Sequence, residues 1–403
     1  MAGTGTADLT WALAPAIVLG SFGLGWLVAR LGVAIALRRA RRAAGAGWVE
    51  RSRWADPARA AVKLDLMLVS LSIAAFIALR LAPDLRMAPA PWAGAGGLGG
   101  FFGVLAAKEG LERRLCRPGG TRRPGLSMAS LLIAPVLVPF ALAMAAMPGR
   151  WGRDAAAVLA AGAALATVNL VAGWLVPLRW LGLAHPASPR LAAAVEQAAA
   201  RMGVRPRGVI ELDSPNANAL ACPVPRLLIF TGPILDVLDD RELAAVVAHE
   251  LGHLDEPSGV LLVRVLSSYL PIACTVAVPM AGSYGLLAGL APIASLIVMM
   301  IGSRKLGRRM EQRSDRLGKE HEGEEAGTYA RALELICRVN LIPVVTRSKR
   351  NIHPDLYDRL IAAGVPPDYP RPEPPPRVGL ALLPAWLLLF AVALAIGRGL
   401  PGS

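Results

Sequence analysis

Long apolar runs separated by short polar loops make up most of this chain. A helix needs about 20 mostly apolar residues to cross a bilayer. The pattern predicts an α-helical polytopic membrane protein of about eight spans. The predicted spans cover about 11–37, 64–81, 92–107, 126–147, 155–178, 260–281, 286–301 and 378–396. The third run is short and rich in glycine, so it is the least secure span.

Two polar stretches interrupt the apolar pattern and predict one small α+β unit built from two segments. Residues 191–202 have helical periodicity, whereas residues 208–213 and 226–231 have the composition of strands. A turn region rich in Pro, Asn and Gly separates the two strands. A helical pattern then covers Asp240 to Leu254, and a mostly helical polar stretch covers 303–365.

These patterns divide the chain into six segments. They are an N-terminal membrane domain of about five spans (1–181), a first catalytic part (182–259), a membrane hairpin (260–302), a second catalytic part (303–365), a proline-rich linker (366–377) and a C-terminal span (378–398).

Charge along the chain predicts its orientation in the membrane. Arginines cluster in the loops at 38–63 and 108–123, whereas the loops at 82–91 and 148–154 are short and nearly neutral. Basic loops stay in the cytoplasm. Basic residues follow the first apolar run rather than precede it, which argues against a cleaved signal peptide. The expected location is the cell (plasma or inner) membrane, with the N-terminus outside and the two polar segments cytoplasmic. If the third run does not cross, this orientation inverts.

Composition excludes several classes of protein. The chain is 54% hydrophobic with a mean hydropathy of +0.48, too apolar for an ordinary soluble enzyme. Its net charge of +14 comes with no nucleic-acid-binding motif, so no nucleic-acid partner is expected. The four cysteines are scattered and form no C-x-x-C pair, which argues against a disulfide framework or a cysteine zinc site.

The main chemical motif is His249-Glu250-x-x-His253, within the predicted helix 240–254. Residues at i and i+4 share one helical face, so both imidazoles can bind one zinc ion. Glu250 is placed to activate a water molecule rather than to coordinate. The sequence therefore predicts one Zn²⁺ per chain, with Glu250 as the catalytic base.

A catalytic zinc needs a third protein ligand, and the candidate is Glu311. Glu311 and Asp315 are spaced i and i+4 and lie on one helical face. Asp315 can accept a hydrogen bond from the outer nitrogen of a ligand histidine. The alternative interpretation of this stretch is a solvated charged helix.

His249-Glu250-x-x-His253, a membrane hairpin and then Glu311-x-x-x-Asp315 together resemble the integral-membrane zinc metalloendopeptidases of the gluzincin type. That family includes HtpX and the CAAX prenyl endopeptidases. The resemblance covers about 186–365, so the five N-terminal spans are not assigned a role by it. It implies a zincin-like cytoplasmic catalytic domain and favours Glu311 as a ligand.

Three weaker matches support the resemblance. Residues 218–221 are similar to the family's Asn-Ala-Phe-Ala segment beside the substrate path, which implies substrate contacts for Asn218 and Ala219. An alternative register starts at Asn216. The lead-in at 238–243 is similar as well. His353-Pro354 followed by Arg359 resembles the late His-Pro motif, and implies that His353 stabilises the intermediate while Arg359 orients the site. From the residues alone, His353 is equally a loop histidine and Arg359 a surface arginine.

The expected function is zinc-dependent hydrolysis of peptide bonds in membrane proteins or membrane-bound peptides near the cytoplasmic surface, for quality control or processing. Two alternatives remain open at this point. One is a signal-transducing membrane metalloprotease or sensor, although the predicted outside loops are short. The other is a non-enzymatic membrane scaffold or transporter that retains a zinc site, although the predicted spans contain few polar residues.

Overall fold

The fold is taken from a computed structural model that describes residues 5–43, 45–81, 91–116, 127, 140, 143, 146–322, 325–347 and 354–377. Helices and strands are numbered below in chain order within these ranges. Most of the predicted fourth span, the whole predicted eighth span and His353 lie outside the described residues.

Three long helices form the N-terminal part: α1 (Gly5–Ala40), α2 (Trp48–Leu81) and α3 (Pro91–Leu115), with a short 3-10 turn at Arg41–Ala43. Their shared core includes Val33, Val62 and Val104. Gly99 and Gly103 of the predicted third span lie where α3 meets α1. A Cβ atom on Gly99 would lie 2.3 Å from the carbonyl oxygen of Val18, and one on Gly103 would lie 2.1 Å from that of Phe22. Glycine at this spacing allows two helices to approach closely.

Among the described residues, three helices are long and apolar enough to cross a membrane. Their apolar windows fall in Val18–Arg38, in α4 (Arg153–Leu170) and in α11 (Leu286–Glu320). A fourth is possible if α8 (Asp240–Leu254) and α9 (Ser258–Cys274), which are bent by 81° to each other, count as one broken span. A mostly helical chain with several candidate spans is therefore confirmed, and the number eight stays a prediction.

A four-stranded mixed sheet follows α4 and the short helix α5 (Leu175–Trp180). Its strands are β1 (Ala184–Pro186), β2 (Gly208–Leu212), β3 (Ala219–Cys222) and β4 (Leu227–Thr231), in the spatial order β1-β2-β4-β3. β2 pairs with β4 in parallel, and β1 and β3 are antiparallel edge strands. The predicted strands correspond to β2 and β4. Describing the segment between them only as a turn region was wrong, because it contains β3.

Helices α6 (Pro189–Met202), α7 (Gly232–Val237) and α8 surround a core on one side of this sheet. Phe230, Leu243 and Leu251 are fully buried there. α6 begins at Ser188, whose hydroxyl accepts from the Leu191 amide, and ends at Gly203, whose φ of 69° suits glycine. α8 has the bounds that the sequence predicts.

The predicted sixth span is divided into two helices, α9 and α10 (Ala277–Tyr284). Gly285 then turns the chain with a φ of 89° into α11, which runs without a break from the predicted seventh span past Glu311. The predicted boundary between hairpin and second catalytic part, at 302/303, therefore falls inside one helix. The last described helices are α12 (Thr328–Val339) and α13 (Leu356–Ala362).

The proline-rich segment 366–377 is fixed to the rest of the protein rather than being a free tether. The Tyr369 hydroxyl donates to Glu334 at 2.8 Å, and its ring meets that of Trp48 edge-on at 5.8 Å between centroids. Glu373 pairs with Arg53 of α2. The start of α2 thus packs against the proline-rich segment.

Candidate metal centre and active-site cleft

Helix α8 presents the His-Glu-x-x-His motif from inside the domain. A reciprocal capping box starts the helix: Asp239 accepts from the Glu242 amide at 2.8 Å, and Glu242 accepts from the Asp239 amide at 2.9 Å. His249, Glu250 and His253 are all less than a tenth exposed. The motif is therefore held on a rigid element at the edge of the core.

Glycine at 252 allows α8 to pack closely against α11. A Cβ atom there would lie 2.9 Å from the Leu317 side chain and 3.3 Å from the Ser314 Cα atom. This approach brings Glu311 opposite the histidines. The His249 Nε2 atom lies 3.8 Å from one Glu311 carboxylate oxygen, and the His253 Nε2 atom lies 3.6 Å from the other.

The three side chains fit a zinc ion. One ligand atom from each lies within 4.8 Å of the other two. Nitrogen and oxygen ligands bound at about 2.0–2.2 Å with tetrahedral angles are about 3.3–3.6 Å apart, close to the observed separations. Two imidazoles and one carboxylate also form a ligand set known for catalytic zinc, with one position left for water. His249, His253 and Glu311 would hold the ion.

The outer nitrogen of His249 belongs to a buried hydrogen-bond chain. Its Nδ1 atom lies 2.6 Å from the Tyr329 hydroxyl, which donates to Asp315 at 2.8 Å. Asp315 is itself 3.3 Å from the same Nδ1 atom and is held by Arg359 at 2.5 Å. Because the Tyr329 hydroxyl donates its hydrogen bond to Asp315, its oxygen accepts from a protonated Nδ1 atom of His249. That tautomer leaves the Nε2 lone pair for a metal. Burial raises the pKa of Tyr329 well above 10, so it stays a phenol.

The outer nitrogen of His253 has a different partner, Glu256. The Nδ1–Oε1 distance is 3.0 Å, and Arg264 clamps the same carboxylate with two bonds of 2.5 and 2.6 Å. Burial lowers the pKa of His253, but the bonds to Glu256 and Glu311 outweigh it and raise the pKa to about 10. Since a ligand histidine must be deprotonated to bind zinc, zinc binding at this site is expected to weaken as the pH falls.

These groups face one cleft. It is lined by the three ligand residues, by Glu250, by Asn218 to Ala221 at β3, and by α12 and Arg359. Among the described residues, β3 pairs with β4 on one side only and is an edge strand of the sheet. Cys222, at the end of β3, does not compete as a nucleophile, because burial and the nearby Glu250 raise its pKa to about 11.

Comparison with known proteins places this geometry in a family. Residues 187–364 match the family model described as Peptidase family M48. The match covers less than half of the chain. The M48 segment contains every described residue of the candidate centre.

Curated relatives agree with this assignment. A protease HtpX homolog of Acidiphilium cryptum is 33% identical over 179 residues, which cover 42% of this chain and 54% of the relative. The homolog of Aeropyrum pernix is 30% identical over 138 residues, covering 30% of this chain and 43% of the relative. That of Methanothermobacter thermautotrophicus is 36% identical over 90 residues, covering 22% and 34%. The chain thus spans about half the length of these relatives or less.

The M48 site brings together most of the residues that the sequence singles out. Asn218 and Ala219 line the cleft. Asp315 lies beside His249, with Tyr329 bound to both. Arg359 is not a surface arginine, since its side chain is 16% exposed and pairs with Asp315. His353 lies outside the described residues, so its role stays a prediction.

Sequence reasoning missed Tyr329, Glu256 and Gly252. Glu256 had a local signal, because a carboxylate three residues after a ligand histidine can reach its outer nitrogen. Gly252 also had one, since a glycine inside a predicted helix suggests close packing. Tyr329 had none, because it reaches His249 only through tertiary packing.

Tyr329→Phe is expected to weaken zinc binding by about tenfold, because loss of an outer partner of a ligand histidine typically costs 10–100-fold in affinity. The phenyl ring retains the stacking on His249, where the centroids are 5.5 Å apart. Zinc affinity is measured by competition with a chromogenic chelator. Tyr369→Phe is the matched control, since its hydroxyl bonds to Glu334 outside the cleft. Equal zinc affinity in both variants would contradict a role in zinc binding for the hydrogen bond between Tyr329 and His249.

Proposed function

We propose that this protein is a membrane-anchored zinc endopeptidase that hydrolyses membrane-associated proteins close to the cytoplasmic surface, in quality control or processing. One observation carries the proposal. His249, His253 and Glu311 converge at ligand spacing in the same cleft as Glu250 and a sheet edge. A metal site, a base and a place for an extended chain are the parts that peptide hydrolysis needs.

Glu250 is the proton carrier of the proposed reaction. His249, His253 and Glu311 would hold a zinc ion, which would supply Lewis-acid polarisation and lower the pKa of a water molecule towards neutrality. The Glu250 carboxylate accepts the proton of the attacking water and passes it to the leaving amine. Glu250 follows His249 on helix α8, and its side chain lines the cleft without belonging to the ligand cluster. His353 is proposed as a hydrogen-bond donor to the tetrahedral intermediate.

Strand β3 supports an extended substrate. Its outer edge, which pairs with no other described strand, offers backbone donors and acceptors to a peptide that adds to the sheet. Asn218, at the start of this edge, is exposed and lines the cleft. Ala219 and Ala221 leave room for substrate side chains.

The proposed substrate class follows from helix α11. Glu311 lies ten residues beyond Ile301 on this unbroken helix. At about 1.5 Å per residue, the metal centre is about 15 Å from the end of the apolar stretch. A cleavable segment leaving the membrane reaches that height within a few residues. The basic segments around Arg59 and Glu112 contact the catalytic domain, as Arg59 bonds to Asn340 and Leu341. This supports placing the domain on the cytoplasmic side with those segments.

The test uses one cleavable sequence in two substrates, one anchored by a transmembrane helix and one soluble, with the chain reconstituted in liposomes. The anchored form should be cut at least about tenfold faster, because confinement to the bilayer raises its effective concentration. A zinc chelator should stop both reactions, and added zinc should restore them. Equal rates for the two forms would reject membrane-proximal selection. Absence of zinc-dependent cleavage of either form would reject the peptidase assignment.

A further inference from the structure

We propose that Arg59 and Glu112, in the N-terminal helices, are positioning residues for the active-site cleft. They fix the segment that leads into the cleft strand β3 and the end of helix α12, which also lines the cleft. The inference rests on the proposed peptidase function and assigns a role to the N-terminal helices, which lie outside the M48 segment.

Arg59 of α2 joins three elements. Its guanidinium forms a forked pair with Glu112 of α3, with distances of 3.1 Å from Nε and 3.1 Å from Nη2. The same guanidinium donates to the Leu341 carbonyl at 2.7 Å and to the Asn340 carbonyl at 2.5 Å. Those carbonyls end α12, so Arg59 acts as its cationic cap.

The end of α12 is in a demanding conformation. Leu341 has a φ of 48°, in the left-handed region that a branched side chain rarely adopts. Such a residue persists only where its surroundings determine it. The bond from Arg59 to the Leu341 carbonyl is one of the contacts that does so.

Asn340 transmits this constraint to the segment before β3. Its side chain is buried and bonds to both backbone groups of Ala217, accepting from the amide at 2.9 Å and donating to the carbonyl at 2.7 Å. The next residue, Asn218, is held by the Thr231 hydroxyl, which accepts from its amide at 2.8 Å. The backbone at the entrance of β3 is thus fixed from α12 on one side and from β4 on the other.

A second link reaches the same segment from α3. The Asn216 amide group donates to Glu112 at 3.3 Å and to the Cys116 sulfur at 3.0 Å. Glu112 therefore binds Arg59 and Asn216 together. The pair is well buried, with side chains 12% and 10% exposed, so that losing one partner leaves the other charge poorly solvated.

These contacts connect two walls of the cleft, helix α12 and the segment that contains β3. α12 contributes Tyr329, Leu333 and Ile336, and the β3 segment contributes Asn218 to Ala221. Their separation and register depend on Asn340 and Arg59. An arginine suits this position because its planar guanidinium donates hydrogen bonds to a carboxylate and two carbonyls at once. A lysine ammonium does not have this geometry.

The test compares two single-substitution variants, Arg59→Lys and Asn216→Ala, with the wild-type protein. Arg59→Lys keeps the positive charge beside Glu112 and removes the fork, and Asn216→Ala leaves the Arg59–Glu112 pair intact. For Arg59→Lys we expect KM for a peptide substrate to rise about tenfold, with kcat within about twofold and zinc content unchanged, since 1.4 kcal/mol of lost binding corresponds to tenfold. For Asn216→Ala we expect a rise in KM of about threefold, because the side-chain bonds to Glu112 and Cys116 are lost while the Arg59–Glu112 pair remains. Amide hydrogen exchange at 217–222 should accelerate in both variants.

Arg114→Lys is the matched control, because Arg114 is exposed on the same helix as Glu112. It should behave as wild type in every measurement. Wild-type exchange at 217–222 in both variants would overturn the inference, as would faster exchange with an unchanged KM. If the wild-type chain cuts no peptide, the proposed function fails, and the exchange measurement still decides whether Arg59 fixes this segment.

Discussion

Glu250→Gln should reduce peptide hydrolysis by about a hundredfold to ten-thousandfold, because a positioned general base contributes about 10²–10⁴-fold and no other described carboxylate is assigned to that proton. The amide has nearly the same shape and cannot accept the proton of the attacking water. His249, His253 and Glu311 are unchanged, so zinc should remain bound at one ion per chain. The measurement pairs the rate of peptide cleavage with the zinc content of the purified protein.

Glu196→Gln is the control for this change. Glu196 is exposed on α6, and the same substitution there alters neither the cleft nor the core. It should cleave at the wild-type rate. A Glu250→Gln protein that binds zinc and still cleaves peptides at the wild-type rate would contradict the proposed mechanism. One that has lost its zinc would show that Glu250 acts on the metal site instead.

The sequence was most informative where structure is local. The helix that carries His249 and His253 has the predicted bounds, because helical period, capping residues and metal-ligand spacing all act within a few turns. Glu311 and Asp315 were also found from spacing on one helix.

Nonlocal features were not predictable in the same way. β3 is the short sequence Ala-Leu-Ala-Cys, which lacks the β-branched residues that mark strands, so pairing with β4 rather than propensity makes it a strand. Tyr329 reaches His249 from 80 positions away in the chain. Its role depends on how α12 packs against α8, which no local pattern encodes.

The membrane part shows the same division. The length of an apolar run does not distinguish a helix that faces lipid from a helix that packs against other helices. Gly99 and Gly103, two of the glycines that weaken the third apolar run, let α3 approach α1 closely. Likewise, polar residues at 303–320 suggested a separate segment, although helix α11 continues through them. This continuity joins a candidate membrane-spanning helix directly to Glu311, a candidate metal ligand.

That connection makes Glu311→Ala the second variant with a large expected effect. We expect zinc affinity to fall by about a thousandfold or more, since even outer partners of ligands are worth 10–100-fold. Zinc should then no longer stabilise the fold: ligand at 1,000 times its Kd contributes about 4 kcal/mol, which is lost with the affinity. The measurements are zinc competition and the zinc-dependent rise in Tm.

Glu320→Ala is the matched control, because Glu320 lies on the same helix and is exposed. It should bind zinc and respond to it as wild type does. The structural reason for the contrast is that Glu311 is the ligand from α11, whereas both histidines come from α8. Zinc therefore ties the two helices together, and hydrogen exchange near 311 should slow on zinc addition in wild type but not in Glu311→Ala. Normal zinc binding by Glu311→Ala would mean that the third ligand comes from elsewhere in the chain.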